Sequence, residues 1–126
     1  MPRIISFAWT TDAFLDGTKT VTRRDWNDVY AMSFHKDEIL DAYNKSPRAG
    51  GCKIGVIRLT IDPYKQKLKF MPDSHFEREG GTRYWSDKAE FIVAMGGPEK
   101  ALWVIEFVKI DVCDIIHQME LGLNCD

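Results

Sequence analysis

The sequence has no apolar run that approaches the roughly 20 residues needed to cross a bilayer as a helix. Its first residues also lack the long apolar stretch and small-residue cleavage site of a secretory signal. Internal repeats and low-complexity linkers are absent from the sequence as well. A chain of 126 residues with these properties predicts one domain spanning residues 1–126, without a membrane partner.

Cysteine and histidine are scarce, with three residues of each. Cys52, Cys113 and Cys125 are odd in number and widely spaced, so we expect no disulfide framework and favour a reducing cytoplasm. Residues 75–77 read His-x-Glu, but the Pro-Cys-x-x-Cys that completes a zinc deaminase signature does not follow. The sequence therefore predicts neither a metal site nor a cofactor.

A large excess of charge of one sign is also missing, because the formal net charge is only −2. This argues against a strongly basic, non-specific nucleic-acid binder. All 17 Lys and Arg lie in residues 1–109 with 15 of the 19 Asp and Glu, and the other four acids lie in residues 110–126. We therefore expect a body that can carry a positively charged site, followed by a short acidic C-terminal extension.

Short apolar and β-branched segments, separated by Gly, Pro and Asn, predict several short elements. We predict a loop at residues 44–51 and a hairpin that joins residues 53–61 to 68–71. Because strands and helices do not alternate regularly, we predict an α+β fold with a mixed, largely antiparallel sheet, curled or closed into a small barrel, and flanking helices. The predicted strands are residues 4–7, 20–22, 53–61, 68–71 and 102–110, and the predicted helices are residues 12–15, 38–43 (in a region capped by Asp28), 87–95 (capped by Ser86) and 115–121.

The segment that is richest in chemistry is residues 16–26, DGTKTVTRRDW. Gly17 permits a tight turn, and Lys19, Arg23 and Arg24 follow within a few residues. Cations this close repel one another unless solvent, acids or an anionic ligand compensates them. A solvated edge strand, kept from aggregating by its charge, is the alternative interpretation.

In this segment Gly17, Lys19 and Arg24 fit the pattern Gly-x-Lys-x-x-Glu-x-Arg, and the chain thereby resembles the ASCH domains of the PUA-like superfold. Thr22 replaces the Glu that is common in that family, as in the small ASCH proteins that act as N4-acetylcytidine amidohydrolases. Residues 5–7 and 103–107 resemble further ASCH landmarks, so the likeness covers roughly residues 4–108. The resemblance implies a PUA-like fold and a nucleoside or RNA base as the ligand.

The same resemblance implies a catalytic set of Thr22 as nucleophile, Lys19 as base and a Glu from a His-x-Glu-x-Glu segment. Residues 75–79 have that form, so Glu79, in a predicted polar loop, is the acid or orienting group and Glu77 is the reserve. A Lys accepts a proton only when it is neutral, which desolvation or nearby positive charge favours. Residues three apart on a regular strand point to opposite faces, so Lys19 can meet Thr22 only if Lys19 lies on the turn before the strand or if a β-bulge intervenes. Gly17 favours the first option.

The predicted binding residues are Gly17, Arg23, Arg24, Trp9 and Trp26. Backbone N–H groups at the Gly17 turn, or Arg24, can hold an oxyanion, and an aromatic ring can stack on a base. Arg23 is expected to point away from Thr22, as a surface charge or a phosphate contact. Two alternatives stay open: a non-catalytic RNA-binding module, and a ribonuclease in which Lys19 and Arg24 stabilise the transition state.

Overall fold

Residues 2–110 are described by the computed structural model, and they form a curled mixed sheet with short helices around it. The strands are β1 (Arg3–Ser6), β2 (Val21–Arg24), β3 (Ile39–Tyr43), β4 (Lys53–Leu59), β5 (Tyr64–Lys67) and β6 (Ala101–Lys109). Their spatial order is β1-β3-β4-β6-β2, and β5 also pairs with β6. Strands β1 and β3 are parallel, and the other pairs are antiparallel, which confirms the predicted α+β class.

Strand β6 holds the sheet together because three other strands pair with it. It pairs with β2 at residues 103–106, with β5 at residues 101–104 and with β4 at residues 107–109. Its sequence, ALWVIEFVK, is apolar on both faces, as expected for a strand that is buried on both sides. This pairing brings β2, which carries Thr22 and the two arginines, to the sheet beside the longest buried strand.

The four α-helices within residues 2–110 have five to seven residues each, too few for stability in isolation. Side-chain caps and packing therefore stabilise them: Asn27 accepts a hydrogen bond from the Tyr30 N–H, and Asp87 accepts one from the Glu90 N–H. The helices are α1 (Thr11–Leu15), α2 (Asp28–Met32), α3 (Asp73–Arg78) and α4 (Lys88–Ala94), and single 3-10 turns occupy Ala8–Thr10, Pro47–Ala49, Leu68–Phe70 and Gly81–Arg83.

Two apolar clusters form the core. The larger one packs α1 and α2 against the sheet, with Phe14, Phe34 and Phe107 among its buried rings. The smaller one packs α3 and α4 around Trp85 and Phe91. The turn after β1, strand β2 and the ends of α3 and α4 meet between these clusters, and the site lies there.

Three predictions of secondary structure were wrong. The helix predicted at residues 38–43 is absent, because Ile39–Tyr43 pair with β1 and β4 and form strand β3, in which Leu40 and Ala42 point inward. The segment predicted as strand 68–71 is a 3-10 turn, and β5 pairs with β6 instead of folding back on β4. Residues 75–79 belong to helix α3 and its C-terminal cap rather than to a loop.

The remaining predicted elements agree with the structure within two residues at each end. Two predicted caps were wrong, because Asn27, not Asp28, caps α2 and Asp87, not Ser86, caps α4. The helix near residues 115–121 and the acidic extension lie outside the described residues. Cys52 is disulfide-bonded, although the sequence predicts no disulfide framework. None of the helices within residues 2–110 combines the length and the apolar character that a membrane span requires.

Candidate functional site

A cavity of about 210 Å³ opens where the turn after β1, strand β2, the end of α3 and helix α4 meet. The polar part of its wall includes Lys19, Thr22, Arg23, Arg24 and Glu79. The structure thus brings the three residues of the predicted catalytic set to one cavity, with both arginines beside them.

Lys19 reaches the cavity from the turn before β2. Gly17 has a φ of +84°, in the left-handed region that glycine adopts without strain, and its N–H donates to the Phe14 carbonyl at the end of α1. The Lys19 N–H then donates to the Ala13 carbonyl, and the pleated strand begins only at Val21. Because Lys19 lies outside the pleat, it shares a cavity with Thr22 although the two are three residues apart.

Glu79 is the C-cap residue of α3, where its N–H donates to the His75 carbonyl. The side chains of Lys19 and Glu79 are both 3% exposed, and Lys19 Nζ lies 2.9 Å from Glu79 Oε1. The same ammonium donates to the Glu79 carbonyl oxygen at 3.0 Å. Two of the three Lys19 donors are therefore occupied by one residue, and the third remains for the cavity.

Arg23 is a buried partner of Glu79, which corrects the expectation of a surface charge. Its side chain is fully buried, and its Nη1 donates to Glu79 Oε2 at 2.9 Å. Its Nη2 donates to Gln66 Oε1 at 3.1 Å and lies 2.9 Å from His75 Nδ1. Among the described residues, Arg23 Nε has no hydrogen-bond partner. Glu79 is thus shared between two cations, one on each carboxylate oxygen.

Thr22 and Arg24, two residues apart on β2, lie on the same strand face, as expected. Arg24 Nε donates to Thr22 Oγ1 at 3.0 Å, and Arg24 Nη2 donates to the Ser6 carbonyl at 2.7 Å. The guanidinium lies 5.6 Å from the centre of the Phe7 ring. Because Thr22 Oγ1 accepts from Arg24, the Thr22 hydroxyl hydrogen is left to point toward another acceptor.

The wall of the cavity carries more positive than negative charge, with Lys19, Arg23 and Arg24 around the carboxylate of Glu79. Burial lowers the pKa of Lys19, and the nearby arginines lower it further, while Glu79 acts in the opposite direction. Burial lowers the pKa of Arg24 to about 10, so its guanidinium stays charged at neutral pH. The site therefore favours electron-rich ligand atoms and loss of the Lys19 proton.

The aromatic residues divide between the cavity and the core. Trp9 lines the cavity with 64% of its surface exposed, and its ring is edge-on to Tyr84 and Trp85. Trp26 instead stacks on Phe34, with the ring centres 4.9 Å apart, and lies outside the cavity wall. Trp9 is therefore placed to meet a ligand, and Trp26 is placed to stabilise the core.

Two other predicted residues lie beside the cavity rather than in its wall. Gly17 shapes the turn that presents Lys19, and the carboxylate of Glu77 lies against Gly81. Of the two candidate glutamates, Glu79 is the one that lines the cavity.

The contacts of Gln66 and His75 with Arg23 were not predicted from the sequence. His75 stood out in the sequence only as part of an incomplete metal signature, whereas its Nδ1 faces Arg23 in the fold. Gln66 lies on β5, whose pairing with β6 was not predicted. In residues 2–110, no cluster of three or more His, Cys, Asp or Glu side chains is arranged to hold a metal ion.

Neither a protein-family profile nor a curated protein matches this sequence. The fold is similar to that of protein EF3133 from Enterococcus faecalis V583, a protein of the family DUF984. That likeness has a TM-score of 0.62, covers 88% of this chain and 81% of that chain, and has 18% sequence identity. Identity this low shows the fold alone, so the chain is a small α+β protein with the curled half-barrel sheet also found in EF3133.

Proposed function

We propose that the protein hydrolyses an exocyclic amide on a nucleobase, with N4-acetylcytidine as the representative substrate. The main support for the proposal is that Lys19, Thr22 and Glu79 line one cavity. In addition, Arg24 donates a hydrogen bond to the Thr22 oxygen. These residues supply a nucleophile, a buried amine and a carboxylate that orients the amine.

Thr22 is the proposed nucleophile. A hydroxyl group attacks a carbonyl well only when its oxygen gains negative charge, and the Arg24 Nε–H is already directed at that oxygen. The Thr22 proton is free to leave toward a base. Lys19 and Thr22 line the same cavity without a direct hydrogen bond between them, so the transfer follows substrate binding, which commonly tightens such contacts.

Lys19 is the proposed base because the site gains from its deprotonation. With Lys19 charged, the trio of Lys19, Arg23 and Glu79 carries a buried excess of one positive charge. Loss of the Lys19 proton leaves Arg23 and Glu79 as a neutral ion pair, which a low-dielectric site accommodates better. This agrees with the lowered pKa of Lys19.

The proposed reaction proceeds in two stages. Thr22 Oγ1 bonds to the amide carbon as its proton passes to Lys19 Nζ, and the C–N bond then breaks as Lys19 returns the proton to the departing amine. Water next attacks the Thr22 ester, with Lys19 taking and returning the proton again. The products are the free amine of the base and a carboxylic acid, and no oxidant or cofactor is consumed.

The size of the cavity favours a single base as the bound unit. A volume of about 210 Å³ corresponds to about seven water molecules, which suits a substituted pyrimidine ring. Trp9 at the rim offers a face for stacking, a contribution of about 1–3 kcal/mol per base.

The test is to incubate the protein with N4-acetylcytidine and to measure cytidine and acetate. We expect equal amounts of both products from the wild type, none from Thr22→Ala and a reduced rate from Thr22→Ser, with circular dichroism showing that both variants fold. Wild-type rates for a folded Thr22→Ala protein would remove Thr22 from the mechanism.

The competing functions give other outcomes of the same experiment. Absence of turnover together with salt-dependent binding of oligonucleotides would contradict hydrolysis and favour an RNA-binding module. Cleavage of labelled RNA in EDTA, again without amide turnover, would favour a ribonuclease.

A further inference from the structure

Arg23 is held in place by three side chains around its buried guanidinium. Glu79 Oε2 lies 2.9 Å from Nη1, and Gln66 Oε1 and His75 Nδ1 lie 3.1 Å and 2.9 Å from Nη2. Two of these partners contact the same nitrogen, and His75 is only 5% exposed. The direction in which Arg23 presents Nη1 to Glu79 therefore depends on the two acceptors at its other end.

The chemistry of these groups sets the state of His75. A guanidinium only donates hydrogen bonds, so His75 Nδ1 must carry a lone pair and the ring proton must sit on Nε2. A protonated imidazole would place an N–H and a positive charge against Nη2 of Arg23. The contact therefore exists only while His75 is neutral.

We propose that His75 is a positioning residue: as a neutral acceptor it fixes Arg23, which holds Glu79 Oε2 and leaves Glu79 Oε1 for Lys19. The proposal rests on the proposed amide hydrolysis for its kinetic consequence, but its structural consequence can be measured without turnover. His75 contacts Arg23 rather than the cavity, because it is absent from the cavity wall.

The groups around His75 determine how its contact with Arg23 responds to pH. The charged groups that act on the imidazole are Arg23 from β2, Glu106 from β6, and Arg78 and Glu79 at the end of its own helix. Burial and Arg23 are the largest influences, and they lower the pKa of His75 from its usual 6.5. His75 is therefore neutral at physiological pH, and its contact with Arg23 is lost only in more acidic solution.

The kinetic test compares His75→Asn, whose amide oxygen can replace Nδ1 as an acceptor but does not titrate, with His75→Leu, which removes the acceptor. We expect kcat of His75→Leu to fall by about 10- to 100-fold with little change in KM, the usual effect of a slightly misplaced catalytic group. His75→Asn should keep most of the wild-type kcat. Its kcat should still fall as Lys19 becomes protonated, but it should lose the additional decline that His75 protonation causes in the wild type.

The matched control is His35→Asn, because His35 is exposed and lies outside the cavity wall. Its kcat and pH profile should equal those of the wild type. Wild-type kcat in His75→Leu, or equal losses in His75→Leu and His75→Asn, would overturn the positioning role. If His75→Leu does not fold, Gln66→Leu removes the other acceptor on the same nitrogen, and we expect a loss of kcat in the same direction.

A second readout needs no substrate. The carbon-13 resonance of Lys19 Cε, assigned by its absence in Lys19→Met, reports the titration of the amine. In His75→Leu we expect the Lys19 midpoint to rise, because Arg23 no longer shares Glu79 and the carboxylate acts on Lys19 alone. An unchanged or lowered midpoint would contradict the positioning role, whereas a raised midpoint without any wild-type turnover would support it and contradict only amide hydrolysis.

Discussion

Lys19 Nζ and Glu79 Oε1 lie 2.9 Å apart in the core of the protein, although 60 residues separate them in the chain. Their neighbour Arg23 occupies the other oxygen of the same carboxylate. One acid thus balances two buried cations. Substitution of each of the three residues therefore leaves a different net charge in the buried cluster.

Glu79→Gln should be the most destabilising single change at the site. It leaves Lys19 and Arg23 without their common counter-ion, and removal of one partner from a buried ion pair costs about 3–5 kcal/mol. The measurement is the free energy of unfolding from urea denaturation at neutral pH.

Lys19→Met is the matched comparison, because Arg23 and Glu79 then remain as a neutral pair. We expect a loss of about 1 kcal/mol or less, since no buried charge is left unpaired. Equal losses of unfolding free energy in the two variants would show that Glu79 is not the counter-ion that stabilises Lys19 and Arg23.

The stability of the wild type relative to Lys19→Met should depend on pH. The pKa of Lys19 is lowered from 10.5 in the folded state, mainly by burial, so at alkaline pH the unfolded chain binds the proton that the folded chain releases. Stability rises with pH wherever the unfolded state holds more protons. As pH rises toward 10.5, the free energy of unfolding of the wild type should therefore increase relative to that of Lys19→Met.

Parallel curves for the two proteins over the alkaline range would contradict a lowered pKa of Lys19. Lys109→Met is a suitable second control because Lys109 is exposed, and its removal should leave the pH dependence unchanged.

The sequence predicted the parts of the site that depend on local order. The turn at Gly17, the start of β2 after Lys19 and the shared face of Thr22 and Arg24 follow from glycine conformation and strand periodicity. The strand at residues 101–109 was also predictable, because a long apolar β-branched run has few other solutions.

The errors arose where distant pairing decides the structure. Residues 39–43 form a strand because they pair with β1 on one side and with β4 on the other. The local sequence does not predict these two pairings. Arg23 looked like a surface charge because its acid, Glu79, approaches from a helix that the sequence did not predict. The sequence contained each member of the site, but not the contacts that bury them together.

Trp9→Ala should weaken ligand binding without unfolding the protein. The ring is 64% exposed at the rim of the cavity, so its removal costs little core packing but takes away a stacking face worth about 1–3 kcal/mol per base. We expect a higher KM for N4-acetylcytidine, or a higher Kd for cytidine where binding alone is measured, with kcat nearly unchanged.

Trp26→Ala is its control because Trp26 packs on Phe34 and Tyr30 away from the cavity. This change should lower the free energy of unfolding and leave the KM of the folded protein unaltered. A loss of affinity in Trp26→Ala with none in Trp9→Ala would place the ligand on the other aromatic cluster.

Gly17→Ala tests whether the bend before β2 serves the site. The φ of Gly17 is +84°, and an added Cβ would meet no atom within 4 Å, so the cost of the substitution is backbone strain of about 1 kcal/mol. Gly50 has nearly the same φ of +82° and equally open space, but it lies in the loop after β3, away from the cavity wall. Gly17→Ala and Gly50→Ala should therefore lose similar free energies of unfolding, while only Gly17→Ala lowers kcat by shifting Lys19 relative to Thr22. Equal kcat values for the two folded variants would mean that the turn serves the fold and not the chemistry.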